Sequence, residues 1–341
     1  MKNVIALLVC LGALSGCAST GGGFRTLGMI ERFDKRLDAL LAPDAKMEIL
    51  DYGYDWVEGP VWVKDGGYLL FSEIPPNKVF KWKEGEGSSL YLHPAGYTGT
   101  KPRGGEPGSN GLLVDPRGSL ILCQHGDRRV ARMDAPLSSP KSKFVTLADK
   151  ADGKRLNSPN DVARHSSGAL FFTDPPYGLV KGMEDKAKEI PYQGVYRLDA
   201  DGKVTLLAKE IDRPNGIAFS PDEKTLYVAS SHPPKAVWMA YDVKPDLTLA
   251  NGRVFFDSTK WVDVFGYKGL PDGMKVDVKG NLWASGPGGI LVLAADGTHL
   301  GTLRTFEATS NCAWGDDGST LYITADMYIL RIRTLTKGAG F

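Results

Sequence analysis

The stretch Leu270-Pro-Asp-Gly-Met-Lys-Val-Asp-Val-Lys-Gly-Asn-Leu-Trp283 decides the fold, because its pattern occurs five more times in the chain. An acid or amide next to a small residue opens a short apolar run, a turn follows, and a second apolar run returns. These openers are Glu58-Gly59, Asn110-Gly111, Asn160-Asp161, Asn215-Gly216, Asp272-Gly273 and Asn311-Cys312. Their separations of 52, 50, 55, 57 and 39 residues are close to the length of a four-stranded propeller blade with loop insertions. Six repeats therefore predict an all-β, six-bladed β-propeller.

Composition agrees with one repeat domain and argues against a nucleic-acid partner. The repeats occupy residues 45–341, and hydrophobic residues make up 42% of a chain of 341 residues. Lys and Arg number 41 and Asp and Glu number 40, which leaves a formal charge of +1. A nearly neutral chain with no basic run is not expected to bind DNA or RNA.

The first sixteen residues have the pattern of a lipoprotein signal peptide. Lys2 supplies positive charge and residues 4–14 form a short apolar core. Leu14-Ser-Gly-Cys17 resembles a bacterial lipobox, which predicts acylation at Cys17 and a lipoprotein of the cell envelope, with the outer membrane as the expected destination. A secreted or periplasmic protein cleaved nearby is the alternative. The lipid anchor is the only membrane contact that we expect.

Residues 17–44 are predicted to form a Gly-rich tether and a short N-terminal helix. Ile30, Phe33, Leu37 and Leu40 have helical spacing within residues 27–41. Residues 46–52 then read as a strand that completes the last blade and closes the ring.

Two cysteines, Cys123 and Cys312, belong to the repeats. They lie in the second and sixth repeats, which are not neighbours in a six-membered ring, so we expect two buried thiols rather than a disulfide.

The hairpin turns fix the direction of the strands. If every opener begins an inner strand at one face of the ring, the turns lie on the opposite face and the second strands return to the openers. Two long segments, residues 97–108 and 174–194, then belong to the openers' face. They are candidate lids over the channel mouth, although simple surface excursions are the competing interpretation.

Propeller geometry brings the openers toward one axis as a ring of oxygen atoms. The ring comprises Glu58, Asn110, Asn160, Asn215, Asp272 and Asn311. Two carboxylates in a narrow channel repel each other unless a cation or a proton relieves them. Hard oxygen donors favour Ca²⁺, with Mg²⁺ or Mn²⁺ next, while Zn²⁺ is possible although it prefers nitrogen or sulfur. For any single opener, turn formation or backbone capping is the alternative interpretation.

Four motifs resemble signatures of the senescence-marker-protein/gluconolactonase/luciferin-regenerating-enzyme-like family. They are Glu58-Gly-Pro-Val-Trp62, Ser158-Pro-Asn-Asp161, Arg213-Pro-Asn-Gly216 and Leu270-Pro-Asp-Gly-Met274. The resemblance implies a six-bladed propeller with a catalytic divalent cation on its axis, held by Glu58, Asn215 and Asp272. Asn160 matches a position that is a ligand in some relatives and a substrate or water contact in others.

Asp272 is the predicted catalytic base. A carboxylate oxygen that is not engaged with the cation could accept a proton from the attacking water, and the resemblance points to the same residue. Candidate substrate-binding residues on this face are Asn110, Asn160, His125, Asp174 and Arg103. A structural role is equally compatible with the pattern for His125, and His232 lies in an equivalent loop.

These residues lead to one principal functional hypothesis and two alternatives. The principal hypothesis is a metal-dependent lactonase of the gluconolactonase type, which opens a sugar lactone by metal-activated water. The second retains the cation but acts on another lactone or a phosphotriester. The third is a propeller without catalytic activity that binds a ligand and uses the cation structurally.

Overall fold

The computed structural model describes residues 23–341. The predicted signal peptide of residues 1–16 and the predicted acylation site Cys17 lie outside this range. Within it, no helix is both long and apolar enough to cross a membrane.

Six antiparallel sheets form the six predicted blades, and each inner strand begins within two residues of its opener. The strands, from inside to outside, are Val57–Val63, Tyr68–Glu73, Lys78–Lys83 and Gly87–Leu92 in blade 1; Ser109–Val114, Leu120–Gln124, Arg129–Met133 and Phe144–Ala148 in blade 2; Val162–Arg164, Leu170–Asp174, Gly194–Leu198 and Val204–Ala208 in blade 3; Pro214–Phe219, Thr225–His232, Lys235–Val243 and Leu249–Asp257 in blade 4; Met274–Val276, Leu282–Gly286, Gly289–Leu293 and His299–Arg304 in blade 5; and Thr309–Gly315, Thr320–Ala325, Tyr328–Arg333 and Glu48–Tyr52 in blade 6. A small hairpin, Lys150–Ala151 with Lys154–Arg155, joins blades 2 and 3. The described helices are four short 3-10 turns, Lys35–Ala39, Lys64–Gly66, Gly182–Glu184 and Thr259–Trp261. The prediction of an all-β, six-bladed propeller is confirmed.

The opening stretch shows how the repeat becomes a hairpin. The carboxylate of Asp277 accepts hydrogen bonds from the backbone N–H groups of Lys279 and Asn281, both at 2.9 Å. Gly280 follows in the left-handed region with φ 83°, which glycine adopts without steric cost. The turn returns the chain to the second strand, where Trp283 is fully buried. The alternating apolar residues thereby enter the space between neighbouring blades.

The predicted N-terminal helix is wrong over its first half. Met29–Arg32 is a β-strand that pairs with His299–Arg304 and adds a fifth strand to blade 5. Only Lys35–Ala39 is helical, as a 3-10 turn that buries Leu37. The apolar spacing was compatible with a helix, but the outer edge of blade 5 offers unpaired backbone groups that a strand satisfies. Phe33, which a packed helix would bury, is 58% exposed.

Ring closure follows the prediction. Glu48–Tyr52 pairs with Tyr328–Arg333 and supplies the outermost strand of blade 6. Blade 6 therefore combines the first part of the propeller's sequence with its last part. Cys123 and Cys312 are free buried thiols, as expected.

A ring of hydrogen bonds joins each inner blade edge to the next. In five of these bonds the donor is a hydroxyl group at the end of a strand on the openers' face. In the bond from blade 2 to blade 3 the donor is a backbone N–H. The pairs are Ser72 Oγ to Asn110 O at 2.8 Å, Gly111 N to Asn160 O at 2.7 Å, Thr173 Oγ1 to Asn215 O at 2.6 Å, Ser231 Oγ to Pro271 O at 2.5 Å, Ser285 Oγ to Ser310 O at 2.7 Å, and Ser310 Oγ to Val57 O at 2.6 Å. The last pair closes the ring between blades 6 and 1.

We expect Ser310→Ala to lower the free energy of unfolding by about 1–3 kcal/mol, because the buried Val57 carbonyl loses its hydroxyl donor. Ser319→Ala is the matched control, since Ser319 Oγ donates to Asp317 at the exposed surface; its effect should be below about 0.5 kcal/mol. Urea denaturation of both variants measures the difference. Equal stability of the two variants would show that the closing hydrogen bond contributes nothing.

Candidate active site

Five of the six openers line one cavity at the mouth of the channel. Its volume is about 250 Å³. The five openers are Glu58, Asn110, Asn160, Asn215 and Asp272, and the remaining polar wall is formed by Glu106, Tyr177, Ser231 and Thr309. Residues more than 200 positions apart in the sequence thus meet at one point, as the repeat predicted.

Small residues after the openers permit this approach. A Cβ atom on Gly216 would lie 2.2 Å from the backbone oxygen of Asp272 in the next blade. A Cβ atom on Gly273 would lie 1.9 Å from Cγ of Asn311. The blades could not come this close with any larger residue at either position.

Two of the three carboxylates that line the cavity, Glu58 and Asp272, are electrostatically unfavourable together. Burial, and next the negative charge of Glu58, raises the pKa of Asp272 well above its ordinary value. Burial is also the main cause that raises the pKa of Glu58, which is 1% exposed. Glu58 Oε2 accepts hydrogen bonds from Gly59 N at 2.7 Å and from Asn311 Nδ2 at 3.2 Å. These two donors offset only part of the cost of a buried charge.

Asn311 differs from the other amides of the ring. Its Nδ2 donates to Glu58, and its Oδ1 accepts the N–H of Cys312 at 2.9 Å. Both ends of the amide are therefore engaged within the protein. Asn311 supports Glu58 rather than lining the cavity.

The remaining oxygens fit a hard divalent cation. Oδ1 of Asn160 and Oδ1 of Asp272 are buried and have no hydrogen-bond partner, an arrangement that is costly unless something else satisfies them. Asn215 Nδ2 donates to Ser231 Oγ at 2.9 Å, which leaves its Oδ1 as the free end of the amide. Among residues 23–341, no group of three or more His, Cys, Asp or Glu side chains is arranged to hold a metal. The candidate donors are the carboxylates of Glu58 and Asp272 and the neutral amides of Asn160 and Asn215, the oxygen chemistry that Ca²⁺ accepts.

Comparisons with known proteins agree with this geometry. The family model described as the SMP-30/Gluconolactonase/LRE-like region matches residues 56–326. The chain belongs to this family. A gluconolactonase from Zymomonas mobilis is 39% identical over 346 residues, which cover 98% of this chain and 96% of that protein.

Solved structures of the family show the same architecture. The structure of a gluconolactonase from Xanthomonas campestris is 31% identical, with a TM-score of 0.76, and the match covers 92% of this chain and 98% of that one. Regucalcin, a calcium-binding protein from Agrobacterium tumefaciens, is 19% identical with a TM-score of 0.65, and the match covers 86% of this chain and 97% of that one. The latter likeness supports the fold alone.

In this family member, the two long segments of the openers' face meet beside the cavity. Arg103, from residues 97–108, donates to the backbone oxygen of Gly126 at 2.6 Å and also to that of Gly178, which belongs to residues 174–194. The guanidinium of Arg103 is therefore occupied by backbone carbonyls and does not line the cavity. It fastens the two segments together.

Asp174 also lies outside the cavity wall. Its carboxylate accepts the N–H groups of Asn157 and Ser158, both at 2.8 Å. Burial raises the pKa of Asp174 to about 7. The residue supports the loop that leads to Asn160 and has no contact with the cavity.

His125 lies directly behind the cavity and is fully buried. Its neighbours Glu106 and Asn160 line the cavity instead. His232 is at the surface, 3.9 Å from Asp212.

Among the cavity residues that sequence reasoning missed are Trp56 and Ser231. Trp56 lies two positions before Glu58, and Ser231 lies near the end of the second strand of blade 4. Both positions adjoin the openers' face, and that was the only available signal.

We expect Gly273→Ala to displace the Asn311 amide and thereby remove a donor from Glu58. The free energy of unfolding should fall by about 1–3 kcal/mol, the usual cost of forcing an added methyl group into a packed site. Gly104→Ala is the control, because its added Cβ would meet only Val180 Cγ1 at an ordinary 3.7 Å. Thermal and urea unfolding measure the contrast, and a Gly273→Ala protein as stable as the Gly104→Ala protein would contradict the close packing described here.

Proposed function

We propose that this protein is a metal-dependent lactonase that hydrolyses a sugar lactone of the gluconolactone class. The family and the 39% identity to a gluconolactonase support lactone hydrolysis. The observation that carries the metal dependence is the pair of buried, unpartnered oxygens, Asn160 Oδ1 and Asp272 Oδ1, that belong to one cavity with Glu58. A polar cavity of this kind is suited to a cation and a small polar substrate.

Glu58, Asn215 and Asp272 would hold the cation, with Asn160 as a fourth ligand. Ca²⁺ is the first choice because all these donors are oxygens. When bound, the cation would polarise the lactone carbonyl and lower the pKa of a coordinated water. It would also relieve the repulsion between Glu58 and Asp272, which adds to burial in raising the pKa of Asp272.

In this proposal Asp272 acts as the general base. A carboxylate oxygen free of the cation would accept a proton from water as that water attacks the carbonyl carbon. The bond between the carbonyl carbon and the ring oxygen of the lactone then breaks. The ring oxygen takes up a proton, and a hydroxy acid results. Asp272 is held in place through its backbone N–H, which donates to Ser285 O at 3.0 Å.

The cavity wall favours a substrate with several hydroxyl groups. Asn110, Glu106 and the hydroxyl of Tyr177 provide donors and acceptors around the carboxylates. Hydroxyl groups of a sugar lactone satisfy such groups, whereas an apolar lactone would leave them unpaired at a cost of about 1–3 kcal/mol each.

The deciding experiment is a lactone hydrolysis assay before and after chelation. We expect the purified protein to hydrolyse an aldono-lactone, to lose that activity when a chelator removes divalent cations, and to regain it with Ca²⁺ or Mn²⁺. Spontaneous hydrolysis in buffer with chelator and cation is the control. Activity that resists complete metal removal would overturn the metal dependence, and absence of any hydrolysis in metal-loaded protein would favour a binding function.

We expect Asp272→Asn to reduce kcat by at least about 100-fold, because the amide retains an oxygen ligand but cannot accept a proton. The rate is to be measured with saturating Ca²⁺, together with the metal content of the protein. Asp65→Asn, on an exposed turn at the opposite face, should leave kcat unchanged. An Asp272→Asn protein that keeps bound metal and most of its rate would refute the assignment of the base.

We further propose that the protein is exported and anchored in the cell envelope through a lipid on Cys17. This proposal depends on the sequence of residues 1–17 alone. A lipid label on the mature N-terminus tests it independently of the enzymatic activity.

A further inference from the structure

His125 forms the middle of a three-residue chain that ends at a proposed cation ligand. Its Nδ1 lies 2.9 Å from Oε2 of Glu106, and its Nε2 lies 3.4 Å from Nδ2 of Asn160. The imidazole has no exposed surface. Because His125 is behind both neighbours, it acts on the cavity through them and not by contact with substrate.

Residues 97–108 and 174–194, the two long segments of the openers' face, meet beside His125. Gly178 packs so closely that an added Cβ would lie 2.6 Å from the Cβ of His125. Arg103 donates to the backbone oxygens of Gly126, the residue after His125, and of Gly178. The two nitrogens of the imidazole have different partners, Glu106 and Asn160.

The partners determine which nitrogen carries the proton. A carboxylate oxygen of Glu106 is an acceptor, so the neutral imidazole donates through Nδ1. Nε2 is then unprotonated and accepts a hydrogen bond. Its neighbour must be the amide nitrogen of Asn160, because an amide oxygen there would place two acceptors together.

This arrangement turns the amide oxygen of Asn160 toward the cavity. Oδ1 of Asn160 is the buried atom without a partner. If the amide were reversed, its NH₂ group would face Glu58 and Asp272 in the cavity. An NH₂ group cannot bind a cation. Hydrogen bonds to the outer end of a ligand commonly set its orientation in metal sites.

We propose that His125 is a positioning residue that, with Glu106, fixes the amide of Asn160 so that its oxygen faces the cation site. The role as a ligand support rests on the proposed function, whereas the orientation of the amide is a property of the protein itself. Arg103 and Gly178 support the same chain by packing and hydrogen bonding around the backbone and Cβ of His125.

Two substitutions at position 125 separate the two hydrogen bonds. His125→Gln places an amide oxygen near the position of Nε2 and can accept from Asn160, but it gives up the bond to Glu106. His125→Asn places its amide near the position of Nδ1 and can donate to Glu106, but it leaves Asn160 without a partner. The pair has similar polarity, so general damage to packing should affect both.

We expect His125→Asn to raise the Kd for Ca²⁺ at least about tenfold, in the range found when an outer partner of a metal ligand is removed. His125→Gln should bind Ca²⁺ within about threefold of the wild-type protein. Calorimetry with Ca²⁺ alone measures both values. His232→Asn, at the surface, is the control and should bind as the wild type does.

A second measurement requires no cation. Histidine ¹⁵N chemical shifts of the chelated wild-type protein should show His125 protonated at Nδ1 and bare at Nε2. Protonation at Nε2 would overturn the proposed orientation of the amide. So would unchanged Ca²⁺ affinity in His125→Asn, or equal losses in the Asn and Gln variants.

The two measurements also separate this inference from the proposed function. If the wild-type protein bound no Ca²⁺, the proposed cation site would fail, and with it the role of His125 as a ligand support. The ¹⁵N shifts would still decide whether His125 orients the Asn160 amide.

Discussion

The hydrogen-bond ring between successive inner blade edges is the constraint on which the site depends. Each bond consumes a backbone carbonyl at or next to an opener, as at Asn110, Asn160 and Asn215. The backbone is therefore tied to the neighbouring blade, and the opener's side chain is the group left to face the axis. Because six such bonds form a closed circle, no opener can retreat without breaking a bond to the next blade.

The electrostatics of the channel explain why carboxylates at two opener positions, Glu58 and Asp272, reduce the stability of the fold. Glu58 and Asp272 are buried close enough that the charge of one raises the pKa of the other. Desolvation of a charge costs several kcal/mol when no compensating partner is present. Asn311 and Gly59 satisfy one oxygen of Glu58, whereas Oδ1 of Asp272 has no partner. The proposed cation would supply the partner that Oδ1 of Asp272 lacks.

The sequence was informative where a property repeats and uninformative where it depends on one long-range contact. The openers could be predicted because the same residue types recur at blade length, and five of them line one cavity. The strand Met29–Arg32 could not, because its apolar spacing also suits a helix and only the free edge of blade 5 decides. Arg103 and Asp174 were predicted to face the substrate, yet backbone groups of distant loops engage both side chains. Nothing in the local sequence indicates which loop will supply those groups.

The junction of blades 6 and 1 closes the propeller and also holds Glu58, a proposed cation ligand. At the junction of blades 6 and 1, Ser310 donates to the carbonyl of Val57 and Asn311 donates to the carboxylate of Glu58. Blade 6 is complete only when Glu48–Tyr52 joins it, since that strand covers the edge of Tyr328–Arg333. The chain then runs directly from this outer strand of blade 6 to Glu58 on the inner strand of blade 1. Closure of the propeller and placement of Glu58 therefore depend on the same short segment. If Glu48–Tyr52 detached from blade 6, the cavity would be disturbed before the blades on the far side of the propeller.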